Sequence, residues 1–489
     1  MRIGELLVAQ GLISDEQVEA ARQRQLAEGG RLGDNLVAVG AISAEALDRF
    51  FQEAPAEPMS VAETGLRDTK ITELLLKTML LQKLETANQC VEALKLPFTV
   101  INIILERAVE QRLLEILGST GSSASSQFRY ALTGAGNQYA SDALERNQYI
   151  GPAPVSISAF CYRVLRQKIS NAHIPQEKIT NAYNDLIVPD ALLSELGPAI
   201  NSGKSMLLYG APGNGKSSLA ERMNKMFEDI IYIPHAVDID GEIIKIFDPS
   251  LHFPIKVEEK PNNSILKDTS IEKETLDKRW IAVRRPLIIV GGELTLEMLD
   301  LQYNNASGFY EAPLHMKALN GIMMIDDFGR QLVAPDHLLN RWIIPLERRV
   351  DYLKLHTGRT FEIPFDALVI FSTNLTPEDL MDPAFLRRIP YKIEIESPAA
   401  SDFQRIFKAV ANANGLEFPD GAIEYVGQMI QSNGMPLAAY QPKFVIEQVL
   451  SACKYESRPP TVERSLIDRA LKNLSTKKMH ATADAPQGM

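Results

Sequence analysis

Eight consecutive residues, Gly210-Ala211-Pro212-Gly213-Asn214-Gly215-Lys216-Ser217, satisfy the spacing GxxxxGK[ST] in full. Glycines at the first, fourth and sixth places let a backbone curl until its N–H groups converge on an anion. The apolar run 205–209 reads as a strand before this loop. From Ser218 onward the pattern reads as a helix, whose first turn adds the positive end of a dipole. In that setting Lys216 is placed to reach the β- and γ-phosphates of a nucleoside triphosphate, and Ser217 to ligate Mg²⁺.

Two further runs supply the remaining polar groups. In Gly321-Ile322-Met323-Met324-Ile325-Asp326-Asp327 a buried strand delivers two carboxylates at its C-terminal end, where open α/β sheets bind ligands. Asp326 suits a metal held through water, and Asp327 suits orienting or deprotonating an attacking water. Residues 365–374 read as another buried strand, ending in Asn374. Strand and helix patterns alternate from the loop to about residue 395, as a parallel α/β sheet requires.

Together these residues resemble AAA+ ATPases over roughly 180–470. The resemblance implies an α/β P-loop core (151–398) with a C-terminal helical lid (399–474), ATP and Mg²⁺ as ligands, hydrolysis to ADP and phosphate, and a ring-shaped homo-oligomer, a hexamer. Asn374 matches sensor 1, whose amide positions the lytic water. Asp382-Pro383-Ala384-Phe385-Leu386-Arg387-Arg388 resembles the segment that carries an arginine finger acting on a neighbouring subunit. Arg387 and Arg388 both remain open for that role, with Arg341, Arg348 and Arg349 as further candidates. Lys443, in Tyr440-Gln441-Pro442-Lys443, stands where the family places a sensor 2 arginine; lysine keeps the charge and loses the planar fork. Asp327 stands where many members carry glutamate, which implies slow turnover. Residues 350–364 read as a β-hairpin before the sensor 1 strand, as in the MoxR-like branch. Residues 231–255 read as an inserted or elongated element, and 262–267 as an exposed loop.

The N-terminal stretch is a repeat. Arg2-Ile3-Gly4-Glu5-Leu6-Leu7-Val8 is echoed by Arg31-Leu32-Gly33-Asp34-Asn35-Leu36-Val37, and Gly11-Leu12-Ile13-Ser14 by Gly40-Ala41-Ile42-Ser43. Each half reads as a short helix ended by the second glycine, followed by a helix capped by Ser14 or Ser43. Only the first half can close a capping box, through Gln17; Ala46 stands at the equivalent place. Residues 1–54 resemble the MshEN-type domain on Arg2, Gly4, Leu7, Gly11, Leu12, Ile13, Val18 and Gln25, then Arg31, Leu32, Gly33, Leu36, Val37, Gly40, Ile42 and Leu47. That resemblance implies cyclic di-GMP as ligand, held by Arg2, Gly4, Gly11, Gln25, Arg31, Gly33 and Gly40. Ala54 departs from the pattern at the second terminal glutamine, and docking modules without ligand share the motif.

Residues 55–68 read as a linker. Residues 69–150 outline a winged helix: a helical pattern from Asp68 to about Leu117, a Gly/Ser loop, a strand over Gln127–Leu132, and a helix capped by Thr133. The reading helix would be 98–113. Its polar face is mixed (Glu106, Arg107, Glu110, Gln111, Arg112), which favours a protein partner over DNA because phosphate neutralisation would be weak.

Composition bounds the rest. The chain has 489 residues, 45% hydrophobic and 23% charged, with net charge −11. That balance suits several globular cores and argues against a nucleic-acid coat. Three separated cysteines form no CxxC pair and read as buried thiols in a reducing cytosol. No basic-then-apolar leader opens the sequence, and no apolar run nears the roughly 20 residues of a membrane span. A soluble, cytoplasmic protein of bacterial style is expected, with a disordered tail over 475–489. A DNA-binding transcription regulator with ATP as switch is the alternative expectation.

Overall fold

The computed structural model describes residues 4, 7–8, 11–28, 32–52, 54–120, 127–255, 276–419 and 421–474. Arg2, Arg31, the 262–267 loop and the tail 475–489 lie outside the described residues.

The first unit is helical, with helices Asp15–Glu28, Leu32–Ala38 and Ala44–Gln52. Its two halves repeat at a spacing of 29 residues, down to individual bonds. Gly11 and Gly40 end a helix at φ 70° and 72°. The next residue then donates back five places, Leu12 to Leu7 and Ala41 to Leu36, both at 3.0 Å, closing carbonyls left open at the helix end. Ser14 accepts from the Gln17 N–H at 3.3 Å and Gln17 returns the bond at 2.8 Å; Ser43 accepts from Ala46 at 3.1 Å, and alanine cannot reciprocate. The shared core is built from equivalent positions of the two halves: Leu7 and Leu36, Ile13 and Ile42, Val18 and Leu47, and Ala21 and Phe50.

The second unit has helices Asp68–Gln82, Ala87–Leu94 and Phe98–Glu110, an antiparallel pair Leu114–Thr120 and Gln127–Leu132, and a closing helix Gly134–Arg146. The sequence suggested helix to about Leu117; the structure ends it at Glu110. Arg112 turns into the left-handed region (φ 59°), and 114–120 pairs with the second strand from Leu114↔Leu132 to Thr120↔Gln127. A short apolar run suits either element, and here the partner strand decides. The segment read as a linker is packed: Val61 and Leu66 join this unit's core, the Thr64 carbonyl accepts from Arg279 at 2.8 Å, and the Pro55 carbonyl accepts from Asp277 N–H at 2.9 Å.

The third unit holds a five-stranded sheet. Its strands are β1 (Met206–Tyr209), β2 (Leu287–Val290), β3 (Ile322–Ile325), β4 (Leu368–Thr373) and β5 (Tyr391–Glu394). Their order is β5-β1-β4-β3-β2, and every pairing is parallel. Every residue of β3 and β4 is buried, because helices cover both faces of the sheet.

Residues 230–255 and 276–284 add further strands beside this sheet. Ile230–Pro234 pairs with Trp280–Arg284, and the hairpin Ala236–Ile239/Glu242–Lys245 joins a mixed sheet with Val155–Ser156, Phe309–Glu311 and Gln302–Asn304. The expected hairpin is present as Val350–Lys354 and Thr360–Pro364. Its tip is tied to this mixed sheet: Arg359 pairs with Asp240, and His356 stacks on Tyr303 at 4.1 Å. Helices Ala400–Ala413, Ala422–Ser432, Gln441–Tyr455 and Arg464–Leu474 close the described chain around Phe403, Phe407, Val426 and Val445. Among the described residues no helix is long and apolar enough to cross a membrane.

Candidate active site

Sheet register brings the candidate groups to one level. Tyr209 pairs with Thr373, so the loop from Gly210 and the side chain of Asn374 leave β1 and β4 side by side. Ile325 pairs with Phe371, which sets Asp326 and Asp327 just past the end of β3 on the same edge.

The loop has the backbone the sequence demanded. Gly213 and Gly215 sit at φ 81° and 84°, where a side chain would be strained. Gly210 (φ 136°) is held by space as well, since a Cβ there would lie 2.4 Å from the Ile395 carbonyl oxygen. Helix Lys216–Lys225 starts directly after Gly215, with Ser217 and Ser218 in its first turn and no side chain capping it. Its leading amides therefore suit an anion.

Two hydrogen-bonded chains cross the site. In one, the Ser217 hydroxyl donates to Asp326 Oδ2 at 2.6 Å. In the other, Lys216 Nζ donates to Asn374 Oδ1 at 2.7 Å, and Asn374 Nδ2 donates to Asp327 Oδ1 at 3.0 Å. Lys216 also bonds the carbonyls of Gly210 and Ala211, at 2.9 and 3.0 Å. Burial lowers the pKa of Lys216, against the pull of Asp326 and Asp327.

Asp327 sits at φ 49°, an uncommon conformation that its neighbours impose. The Asp326 N–H is bonded to Val290 O at 2.8 Å, the Phe328 N–H to Ser372 O at 2.7 Å, and Thr373 Oγ1 donates to Phe328 O at 2.8 Å. These bonds bolt the turn to β2 and β4 and fix where the Asp327 carboxylate points.

The donor set fits Mg²⁺ with a triphosphate. A hydroxyl and one carboxylate in contact suit a small hard cation that keeps several waters and takes phosphate oxygens. Among the described residues no group of three or more His, Cys, Asp or Glu forms a dedicated metal cage.

The two arginines differ. Arg388 donates to Glu347 at 2.6 Å and packs over Phe385, 6.0 Å from the ring centroid. Arg387 is exposed, one residue past the short helix Pro383–Leu386 that Asp382 caps. Arg341 is engaged by Asp351 and Asp300, and Arg349 by Asp366 and two carbonyls. Arg348 is exposed.

In the lid, Lys443 is exposed and lies 3.8 Å from Glu447 on its own helix. The lid reaches the loop elsewhere, through two backbone amides to which the sequence assigned no role. The Tyr440 N–H donates to Gly213 O at 3.0 Å, and the Ala439 N–H to Asn214 Oδ1 at 3.2 Å. The available signal was Pro442, which marks a helix start and so predicts free amides just before it.

In the N-terminal unit, Gly4 and Gly33 occupy equivalent crowded places. A Cβ on Gly4 would lie 2.7 Å from Val18 Cγ1, and one on Gly33 3.1 Å from Leu47 Cδ2. Gly11 and Gly40 are needed for their positive φ, and Gln25 is in the helix Asp15–Glu28. The unit docks on helix Ile157–Arg166: Tyr162 and Leu165 pack on its core, and Arg166 donates to the Phe50 carbonyl while its guanidinium lies 4.1 Å from the Phe50 ring centroid.

Residues 399–473 match the family model described as a domain of unknown function, DUF8689. No curated protein matches the chain in a sequence search. Among solved structures the chain is similar to NtrX from Brucella abortus, with 12% identity and a TM-score of 0.38 over 72% of this chain and 69% of that one. It is similar to domain III of the Thermotoga maritima replication initiation protein DnaA, with 12% identity and a TM-score of 0.34 over 60% and 96%. It is also similar to the Thermotoga maritima RuvB Holliday junction branch migration motor, with 15% identity and a TM-score of 0.31 over 62% and 70%. At TM-scores below 0.5 these likenesses do not bear on what the chain does.

Proposed function

We propose that this chain is an ATP-hydrolysing protein of the AAA+ type, working as a ring of identical subunits that remodels or moves a protein partner. The observation that carries the reading is the Lys216–Asn374–Asp327 chain beside the Ser217–Asp326 pair. Lys216 and the loop amides bind the phosphates of ATP. Ser217 and Asp326 hold Mg²⁺, which neutralises phosphate charge when bound. Asp327 orients the attacking water and accepts its proton, and Asn374 keeps Lys216 and Asp327 in register. Of Arg387 and Arg388, the exposed Arg387 is the one assigned to reach a neighbouring subunit's nucleotide; a hexameric ring would place it there.

The N-terminal repeat is proposed as the regulatory input, taking cyclic di-GMP on its paired motifs. Its contact with helix Ile157–Arg166 supports a route from that unit into the ATPase. For the second unit a protein contact is favoured over DNA. Arg107 is paired with Asp68 and Arg129 with Glu85, while Phe98, Ile116, Leu117 and Phe128 are exposed. Cations held by carboxylates release fewer counterions on meeting phosphate. The DNA-binding regulator is the second reading, and gel shifts at physiological salt discriminate.

The deciding experiment measures phosphate release against cyclic-di-GMP concentration, with oligomer mass recorded in parallel. Wild type should hydrolyse ATP and Asp327→Asn should not. Equal rates in both proteins would overturn the assignment, and an unchanged rate with no binding heat would remove cyclic di-GMP.

A further inference from the structure

The lid bonds the nucleotide loop through the residues that lead into helix Gln441–Tyr455. The start of that helix is rigid: Gln441, buried, accepts from the Ala438 N–H at 2.8 Å and donates to Pro436 O at 2.9 Å. This folded turn aims the next two amides outward. Ala439 N–H meets Asn214 Oδ1, and Tyr440 N–H meets Gly213 O. The Tyr440 ring lies against the bare Cα of Gly213, so close that a Cβ there would sit 2.2 Å from ring carbon Cδ1. Asn214 is 8% exposed, and its Nδ2 has no partner among the described residues. Such a group is normally satisfied. Its oxygen, by contrast, is committed to the lid.

We propose that Asn214 and Tyr440 form a latch between lid and loop, and that this latch, not a charge from Lys443, is how the lid holds nucleotide. The inference rests on the loop being a nucleotide site. Any rearrangement of Gly213 and Asn214 as the loop closes on phosphate is felt at once by the two lid amides. Conversely, swinging the lid away pulls on the loop carbonyl and on the one side chain within the motif that reaches across. Asn214 and Tyr440 are positioning residues in this scheme. Lys443, exposed and alongside Glu447, is not part of it.

The test uses the full chain and two readouts. Stopped-flow release of a fluorescent ADP analogue should accelerate roughly fivefold to tenfold in Asn214→Ala, the loss of about one hydrogen bond's contribution, and by about as much in Tyr440→Ala, which keeps its backbone bond to Gly213 but loses the ring packed on that glycine. Tyr440→Phe, which keeps the ring, should release like wild type, and Lys443→Ala should differ by less than about twofold, as an exposed i,i+4 pair allows. The double variant Asn214→Ala/Tyr440→Ala should be less than multiplicative, because both residues serve one contact. Hydrogen exchange of the Ala439 and Tyr440 amides, measured without nucleotide, should be faster in Asn214→Ala while exchange in β1 and β4 is unchanged. Release rates in Asn214→Ala and Tyr440→Ala equal to wild type, or a larger effect from Lys443→Ala, would overturn the latch. Failure of the wild type to retain any ADP would instead remove the nucleotide reading, and the exchange measurement would still decide whether the contact exists.

Discussion

Asn374 accepts a hydrogen bond from Lys216 at 2.7 Å, and with its other amide atom holds Asp327 at 3.0 Å. One side chain at the end of β4 therefore spaces the cation from the carboxylate. Without it the two opposite charges could collapse onto each other, and neither would be poised for phosphate or water.

This predicts a split effect for Asn374→Ala. Phosphate release should fall on the order of a hundredfold, as when an electrostatic positioning group is removed. Equilibrium binding of ATP should change little, because the loop and Lys216 remain. Steady-state rates and fluorescence titration on the same preparation check it; a parallel loss of binding would mean that Asn374 acts on the loop instead.

The two arginines at the end of helix Pro383–Leu386 should separate cleanly. Arg387→Ala should abolish hydrolysis in the assembled protein and leave nucleotide binding intact, with activity partly recovered when mixed with Lys216→Ala subunits. Arg388→Ala should chiefly lose its Glu347 partner, a change within about 1 kcal/mol in stability. Activity surviving in Arg387→Ala would remove it from the catalytic scheme.

The repeat spacing in the N-terminal unit predicts unequal damage at equivalent places. Gly4→Ala forces a methyl to 2.7 Å from Val18, against 3.1 Å from Leu47 for Gly33→Ala. Gly4→Ala should destabilise that unit by about 1–3 kcal/mol, the usual cost of overpacking, and Gly33→Ala by less. Protease resistance of residues 11–52 in the full chain reports the order.

Lys77 is buried and donates to the Asn147 carbonyl at 2.8 Å; burial lowers its pKa from 10.5 to about 8. Between those values the unfolded chain holds more protons than the folded one, so this group makes stability rise with pH across that window. Cys90, pushed up to about 12 by burial, works in the opposite sense above its ordinary 9.0. The signature is thus a difference: from pH 8 to 10, the urea midpoint of wild type should gain on that of Lys77→Met. Parallel pH profiles would show that Lys77 does not titrate in this range.

Which of these features a reader of the sequence could have found follows from how local their causes are. Phosphate chemistry fixes residue types at fixed spacing, so Gly210–Ser217 stands out in eight letters. The two carboxylates directly follow an uninterrupted apolar run, and Asn374 follows Leu368–Phe371 after Ser372 and Thr373, so both ends of strands buried on two faces were legible. The glycine helix ends and serine caps of the N-terminal halves are likewise properties of four or five neighbouring residues.

Features that depend on partners distant in the chain were not legible. Residues 114–120 became a strand because Gln127–Leu132 lies beside them. The 55–68 segment reads as a linker by composition, yet Arg279 and Asp277 bind its carbonyls. Arg387 and Arg388 are identical letters until Glu347 engages one of them. The meeting of Tyr440 with Gly213 joins residues more than two hundred positions apart, through a backbone hydrogen bond and a ring laid on a bare Cα, neither of which leaves a local signal in the sequence. The sequence by itself determined which chemistry this chain has the groups for, since bonding to phosphate depends on side-chain type at short range. Only the tertiary structure decided which of those groups meet and what the lid touches, because burial and long-range pairing are set by the whole packed chain.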